Sequence, residues 1–437
     1  MKLKQRLMRN EMFATLFEIK GNPRIALFTE GLWGIPYNLY APYATLYMYA
    51  LGVNDTQIGL ILSVGMIVQA ITALFGGVIT DKLGRRLTTV IFDCIAWSIP
   101  CLIWCFAQNF WWFFAAAVCN GFVQVSTVSW NCLFIEDSEE RHIVHLYAWA
   151  QVTGLVAVFF APLARLLVAE FTMVVAVRWI YFFSFLSMTT KFLLLYFLGT
   201  ETKQGYKRME ETKQTSILQL LAGYKDVFLK ILRSPAMLFV VVFLMLYNIF
   251  TMVTNNFFGL YITQNLGVSE ELVAIFPIAR AAIMFAFILL FLNFFSRMQI
   301  RKSLTFGFCV YILSHLLLLL TPPDALWMIW LYTVTEAFSY ALITPRKESL
   351  LAIFIDKEER SRAYALLYVM MIVVSTPFGW IVGALSSVNR TLPFILNIVL
   401  FGVAILLTLS SKTLKQHDAR NGEPSEASEE SDKEVIV

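Results

Sequence analysis

The sequence predicts an all-α membrane protein: twelve transmembrane helices in two pseudo-symmetric six-helix bundles. Three observations lead there. First, of 437 residues, 58% are hydrophobic and only 15% charged, with a mean hydropathy of +0.68. Apolar surface on that scale would aggregate a soluble chain of this size. Second, twelve apolar segments follow one another, and a helix needs only roughly 20 residues to cross a hydrocarbon core of about 30 Å. Third, short sequence elements recur in the two halves at a nearly constant offset.

Taken in order, residues 1–23 form a basic tail with Lys2, Lys4, Arg6, Arg9 and Lys20. It lacks the long apolar run and small-residue cleavage site of a removable signal, so the first membrane helix is expected to drive insertion. Residues 24–199 make the N-terminal bundle, with spans over 24–51, 56–80, 87–107, 110–135, 142–169 and 174–199. Residues 200–235 form a linker in which Ile217, Leu220, Leu221, Tyr224, Val227, Phe228, Ile231 and Leu232 recur at helical spacing. Lys225, Lys230 and Arg233 fall elsewhere on that wheel, as in a helix lying flat on a membrane surface. Residues 236–411 make the C-terminal bundle, with spans over 236–266, 272–295, 303–320, 325–351, 363–386 and 392–411. Residues 412–437 form an acidic tail, predicted to be disordered over Asp418–Lys433.

Twelve spans place both termini on one side, and the basic residues say which. With the termini inside, 29 of the 34 Lys and Arg fall in the tails and inner loops, and the outer loops hold only Arg390. The positive-inside rule therefore makes both termini cytoplasmic. The repeat is seen in Leu51-Gly52-Val53-Asn54-Asp55 against Leu266-Gly267-Val268-Ser269-Glu270, an offset of 215 residues. It is seen again in Asp137-Ser138-Glu139-Glu140-Arg141 against Asp356-Lys357-Glu358-Glu359-Arg360, an offset of 219. Both pairs sit at equivalent places in the helix count, which points to duplication.

Between the second and third spans lies Gly77-Val78-Ile79-Thr80-Asp81-Lys82-Leu83-Gly84-Arg85-Arg86. Gly77 permits close helix packing, Gly84 allows a turn with positive φ, and Arg85 and Arg86 anchor the turn on the inner side. Asp81 is of the charge that a helix N-terminus stabilises. This loop, with the six-plus-six arrangement, resembles the major facilitator superfamily (MFS) of transporters across nearly the whole membrane part. Its counterpart at Ser296–Lys302 keeps Arg297, Arg301 and Lys302 but lacks the Asp and Gly. The resemblance implies that Asp81 latches onto the start of helix eleven, here Arg360 to Ala363. The alternative is that Asp81 only balances Arg85 and Arg86 within its own turn.

An ionisable group at membrane depth is costly and a functional candidate by default. Glu336 in span ten and Arg280 in span eight both lie near the midplane by residue count. They either pair with each other or face a central cavity as a proton site and a substrate anchor. Glu30, Asp93 and Lys191 cluster in the inner third, where Lys191 is expected to pair with Glu30 or Asp93. Glu30 is the second candidate for proton transfer. Arg165 and Arg178, near the outer boundary, are expected to snorkel.

Polar and aromatic residues on spans one, four, seven and ten mark the cavity that the resemblance places there. Span one offers Tyr37, Asn38, Tyr40, Tyr43 and Tyr47, with Pro36 and Pro42 expected to bend it. Span four offers Asn120, Gln124, Thr127, Trp130 and Asn131, span seven Tyr247, Asn248, Thr251, Asn255 and Asn256, and span ten Tyr332, Ser339 and Tyr340. Amides facing lipid would cost several kcal/mol each, so these residues must face protein or water. Some of them glue helices together.

The expected function is a secondary transporter of a small organic solute in the cytoplasmic membrane, working by alternating access and coupled to protons. A multidrug or lipophilic-compound exporter of the same fold is the alternative. Drug antiporters of the family carry an Arg motif in span four and Gly-Pro in span five, whereas this chain has Asn120-Gly121 and Ala161-Pro162. No nucleophile, metal constellation or phosphate loop suggests an enzyme. The six cysteines all lie in apolar segments and the four histidines are scattered, so neither a metal nor a cofactor is expected. A net charge of +4 that follows the membrane topology gives no sign of nucleic-acid binding. A monomer in the bilayer is expected.

Overall fold

The computed structural model describes residues 11–138, 140–214, 224–296, 298–354, 360–412 and 414–415, and every regular element among them is helical. Helix α1 (Glu11–Glu18) precedes a first span made of three pieces: α2 (Gly21–Thr29), α3 (Gly31–Tyr40) and α4 (Ala44–Ala50). Pro36 lies inside α3 and Pro42 in the 3-10 turn Ala41–Tyr43. Each removes an N–H and crowds the preceding turn, which is why this apolar stretch does not run as one rod.

The N-terminal half continues with α5 (Asp55–Leu83) and α6 (Arg85–Asp93), then a π-helical turn (Cys94–Ser98) and α7 (Ile99–Cys105). It ends with α8 (Phe110–Asn120), α9 (Val123–Ile135), α10 (Glu140–Val158), α11 (Pro162–Glu170) and α12 (Met173–Leu198). Pro100 follows the π-helical turn of the third span, which stays helical from Arg85 to Cys105, whereas Pro162 opens α11 after a non-helical turn at 159–161 that interrupts the fifth span. The linker contributes α13 (Lys203–Thr212) and α14 (Tyr224–Arg233). The C-terminal half holds α15 (Pro235–Gln264), α16 (Ile275–Ser296), α17 (Ile300–Leu319), α18 (Leu326–Phe354), α19 (Arg360–Val388) and α20 (Leu392–Ser410).

Ten helical stretches among the described residues are long and apolar enough to cross a membrane. The two expected spans outside that number are the interrupted first one and α16, part of whose side chains lie outside the described residues. Linker residues 217–221, Arg297, the repeat element at 356–359 and the tail at 418–433 also lie outside them. The other repeat has a structural counterpart. Gly52 ends α4 with φ +82° and Gly267 follows α15 with φ +71°, a conformation glycine adopts without penalty.

The halves meet most closely where α5 crosses α19. A methyl group added at Gly59 would lie 2.7 Å from the Cα of Gly383, and one at Gly379 would lie 2.9 Å from the backbone N of Ser63. The crossing therefore runs backbone to backbone, as small residues allow inside membranes. The Ser63 hydroxyl donates to Thr376 O at 2.7 Å and accepts from the Trp380 amide at 2.8 Å. It is thereby inserted into the α19 turn that Pro377 opens. At the end of this seam Asp55, 3% exposed, accepts from Ser386 Oγ at 2.6 Å and Arg390 Nε at 3.1 Å.

Candidate functional site

Between the halves lies a cavity of about 700 Å3. Its walls come from the first, second, third, fourth, fifth, seventh and eighth spans, and include Tyr37, Asn38, Tyr40, Asn120, Asn248, Asn255 and Arg280. Asn120 Nδ2 donates at 2.8 Å to Ala96 O in the π-helical turn, and Asn38 Nδ2 donates to Gly34 O at 2.8 Å. Those two amides are partly committed to the protein. Asn248 and Asn255 make no side-chain hydrogen bond among the described residues, and the buried Tyr40 hydroxyl also lacks a partner there. A wall of unspent donors and acceptors is what a solute needs if it is to exchange its hydration for protein contacts.

Span ten was expected to line this cavity, and none of its described residues does. Tyr332 and Ser339 are fully buried, and Ser339 Oγ donates to Gly307 O. Tyr340 packs against Tyr247 and Phe250, with ring centroids 5.8 and 6.0 Å away. The aromatic side chains of α15, α17 and α20 draw this face of α18 into the core of the C-terminal half. Gln124 also stands outside the lining and bridges the halves, donating to the Tyr368 hydroxyl at 3.0 Å. Gln69 on α5, which the sequence reading passed over, does line the cavity.

Arg280 and Glu336 pair across α16 and α18, with Nε to Oε2 at 2.6 Å. The approach is that of an ion pair without hydrogen-bond alignment at either atom. Glu336 is fully buried, and its Oε1 accepts from the Tyr311 hydroxyl at 3.0 Å. Arg280 is thus the member that reaches the cavity wall, with Glu336 behind it. Further in, His315 Nδ1 lies 3.2 Å from Tyr311 O, and Asn397 Nδ2 lies 3.2 Å from His315 Nε2. With the proton on Nδ1 the imidazole donates to the carbonyl and accepts from the amide. Neither residue was singled out from the sequence, although a histidine inside an apolar segment is the signal that finds such a site.

Glu30 lines a second cavity, of about 270 Å3, within the N-terminal half. Its carboxylate meets Lys191 Nζ at 2.7 Å, and Asp93 shares the same wall. The Arg178 guanidinium donates to Ala107 O at 2.9 Å and to the Tyr47 hydroxyl at 3.3 Å, tying α12 to neighbouring spans.

The Gly84 turn is a dense polar junction. Gly84 has φ +85°, and a methyl group there would lie 2.6 Å from Glu201 Oε2, so both conformation and space require glycine. The anion at the N-terminus of α6 is not Asp81 but Glu201, which accepts from the amides of Arg85 and Arg86 at 2.9 and 3.0 Å. Asp81 lies in the last turn of α5, where its two oxygens meet Arg85 at 3.1 Å and Arg208 of α13 at 3.0 Å. The expected latch partners, residues 360–363, have their side chains outside the described set. Arg85 is 4% exposed and also holds Glu136, at 3.0 Å. Arg86 donates to Gly199 O at 3.1 Å. In α5, Gly76 makes a close approach: a methyl there would lie 3.3 Å from Gln124 O.

A helical bundle with many spans and a cavity between its halves has the architecture of a multi-pass membrane transporter. The chain belongs to the Major Facilitator Superfamily, whose family profile matches residues 27–345. A crystal structure of a nucleoside transporter NupG variant superposes with TM-score 0.71 at 15% identity, covering 88% of this chain and 99% of that one. The peptide transporter POT in complex with sulfate gives TM-score 0.68 at 13% identity, over 95% and 99% of the two chains. At those identities the likeness is one of fold. Multidrug resistance protein MdtG of Serratia proteamaculans (strain 568) is 32% identical over 105 residues, 23% of this chain and 25% of that protein, so the match spans a quarter of that relative.

Proposed function

We propose that the protein is a proton-coupled secondary transporter that moves a small organic solute across the cytoplasmic membrane by alternating access. The observation that carries this reading is the 700 Å3 cavity between the halves with Arg280 in its wall and the buried Glu336 carboxylate directly behind it. A guanidinium held by a carboxylate is a two-state device. With Glu336 ionised, Arg280 is bound back. A proton on Glu336 removes the opposing charge and frees the guanidinium to meet an acceptor group on the solute in the cavity. Solute and proton are coupled because both act on one side chain. The α5–α19 seam, held by Asp55, Ser386 and Arg390, is the contact that must open for the opposite state. The Gly84 turn, on the basic side of the topology, is read as cytoplasmic with both termini.

In proteoliposomes, Glu336→Gln is expected to abolish pH-gradient-driven solute uptake, a loss of at least 100-fold, while protein insertion and exchange of solute at equal pH persist. Uptake in that variant that still follows the pH gradient would refute the coupling role. The second reading, an exporter of lipophilic compounds, is favoured by the partial match to MdtG and by the aromatic share of the cavity wall. A dye-efflux assay on the same proteoliposomes separates the two readings.

A further inference from the structure

The second cavity has a composition that the transport cycle above does not use. Its lining among the described residues comes from the N-terminal half, with Glu30, Asp93, Lys191, Trp33, Trp97 and Trp130 in its walls. Trp33 and Trp97 stand edge to face, with centroids 5.1 Å apart and planes at 81°, so they meet the space at nearly right angles. Asp93 is 7% exposed, has the Ser126 hydroxyl beside it, and makes no ion pair among the described residues. With two carboxylates and one ammonium, the cavity is left one negative charge in excess.

Lys191 already shows what this space stabilises. Its ammonium sits 2.7 Å from Glu30 Oε2 and 5.9 Å from the Trp33 ring centroid. A carboxylate at one side and an indole face at the other is the environment in which ammonium groups are recognised. Trp33 Nε1 is buried without a hydrogen-bond partner among the described residues. Trp97 also lines the central cavity, and Tyr37 of that cavity stacks on Trp33 with centroids 5.1 Å apart and planes at 11°. The two spaces are therefore divided by an aromatic partition one ring thick.

We propose that this cavity is a second binding site, selective for a monovalent organic ammonium bearing an aromatic or short aliphatic group, which displaces the Lys191 ammonium from Glu30 and Trp33. Asp93 supplies the charge that Lys191 does not neutralise, and Trp97 and Trp130 take the apolar part. The site does not depend on Arg280 or Glu336.

The test is equilibrium binding to the purified full chain in detergent, by titration calorimetry or tryptophan fluorescence. The probes are phenethylammonium, its neutral counterpart 2-phenylethanol and its anionic counterpart phenylacetate. Phenethylammonium is expected to bind at least tenfold more tightly than either counterpart, and Asp93→Asn or Trp33→Leu to weaken it about tenfold. Lys191→Met is expected to tighten it threefold or more, because the internal competitor is gone; a purely structural lysine would not give that sign. Equal affinity for the three probes overturns the proposal, as does weaker or unchanged binding in a folded Lys191→Met protein. If Lys191→Met does not fold, Asp93→Asn decides: it breaks no ion pair among the described residues, and an unchanged affinity there is equally fatal. Solute uptake is measured separately, so that loss of the transport reading and loss of this site are distinguishable.

Discussion

Each half of the protein buries one ion pair beside a cavity, and the two pairs are turned in opposite directions. In the N-terminal half the carboxylate of Glu30 is the more exposed member, at 17% of its side chain, with Lys191 at 6% and also in the cavity wall. In the C-terminal half the guanidinium of Arg280 is the more exposed, at 16%, and Glu336 is at 0%. The more exposed charge sets what each cavity attracts, while its partner sets what must happen for that charge to be released. The N-terminal pocket thus offers an anion held by a cation, and the central cavity a cation held by an anion.

The largest effect expected from this comparison is in the C-terminal half. Removing one partner of a buried pair leaves the other charge uncompensated, at about 3–5 kcal/mol. Arg280→Ala should therefore lower the unfolding temperature in detergent more than any other single change at either pair, and should abolish solute binding. Arg280→Ala combined with Glu336→Gln should recover most of the stability, since the stranded carboxylate is then neutral, without recovering transport. If the single substitution leaves stability unchanged, Glu336 is not held as the geometry indicates. If the double substitution restores transport, Arg280 is not the solute's anchor.

A smaller loss is expected from Lys191→Met. It strands Glu30, but Glu30 borders a space of about 270 Å3 that is wide enough for water to take over part of what the ammonium did. Its effect on the unfolding temperature should be less than half that of Arg280→Ala in the same detergent. Equal losses would mean that position beside the cavity does not decide the cost of an uncompensated charge, and the contrast between the halves would fail.

Much of this arrangement was legible in the sequence because membrane burial leaves few ways to place a charge. Hydropathy gave the order of the helices, and the Gly77–Arg86 pattern gave the family. Depth along the helix gave Arg280 and Glu336 a common level near the midplane, and left open whether they pair or face the cavity separately. What was not legible followed from rotation about helix axes, which residue counting cannot supply. Tyr340 turns into the aromatic core of its own half. Gln69, on a span not expected to contribute, turns into the cavity. At the Gly84 turn the sequence offered one nearby anion, Asp81, whereas the fold brings Glu201 from 116 positions beyond Arg85 to cap α6. The broken first span was foreshadowed by Pro36 and Pro42, but not the separate turn at Glu30 that sets its carboxylate against Lys191.

The smallest effect is expected at Asp81, where the same chemistry stands partly in water. Arg208 is 39% exposed in its pair with Asp81, and exposed pairs contribute about 0–1 kcal/mol. Arg85 keeps Glu136 when Asp81 is neutralised. Asp81→Asn should therefore cost less than about 1 kcal/mol, well below either buried pair. Its effect should appear instead in the docking of α13 against α5. That contact also rests on Lys82 Nζ donating to Thr212 O at 3.2 Å and on Thr212 Oγ1 donating to Asp81 O at 3.2 Å. A cysteine at position 212, where Thr212 is 3% exposed, reports that docking directly. In the Asp81→Asn background its labelling by a membrane-impermeant maleimide should rise by a small factor, about two- to fivefold, and should rise further when Lys82 is also replaced by Ala. Labelling that does not change would show that the Lys82 contact to the backbone of residue 212 holds the linker helix without the ion pair. A stability loss as large as that of Arg280→Ala would show that exposure does not govern the cost at this junction.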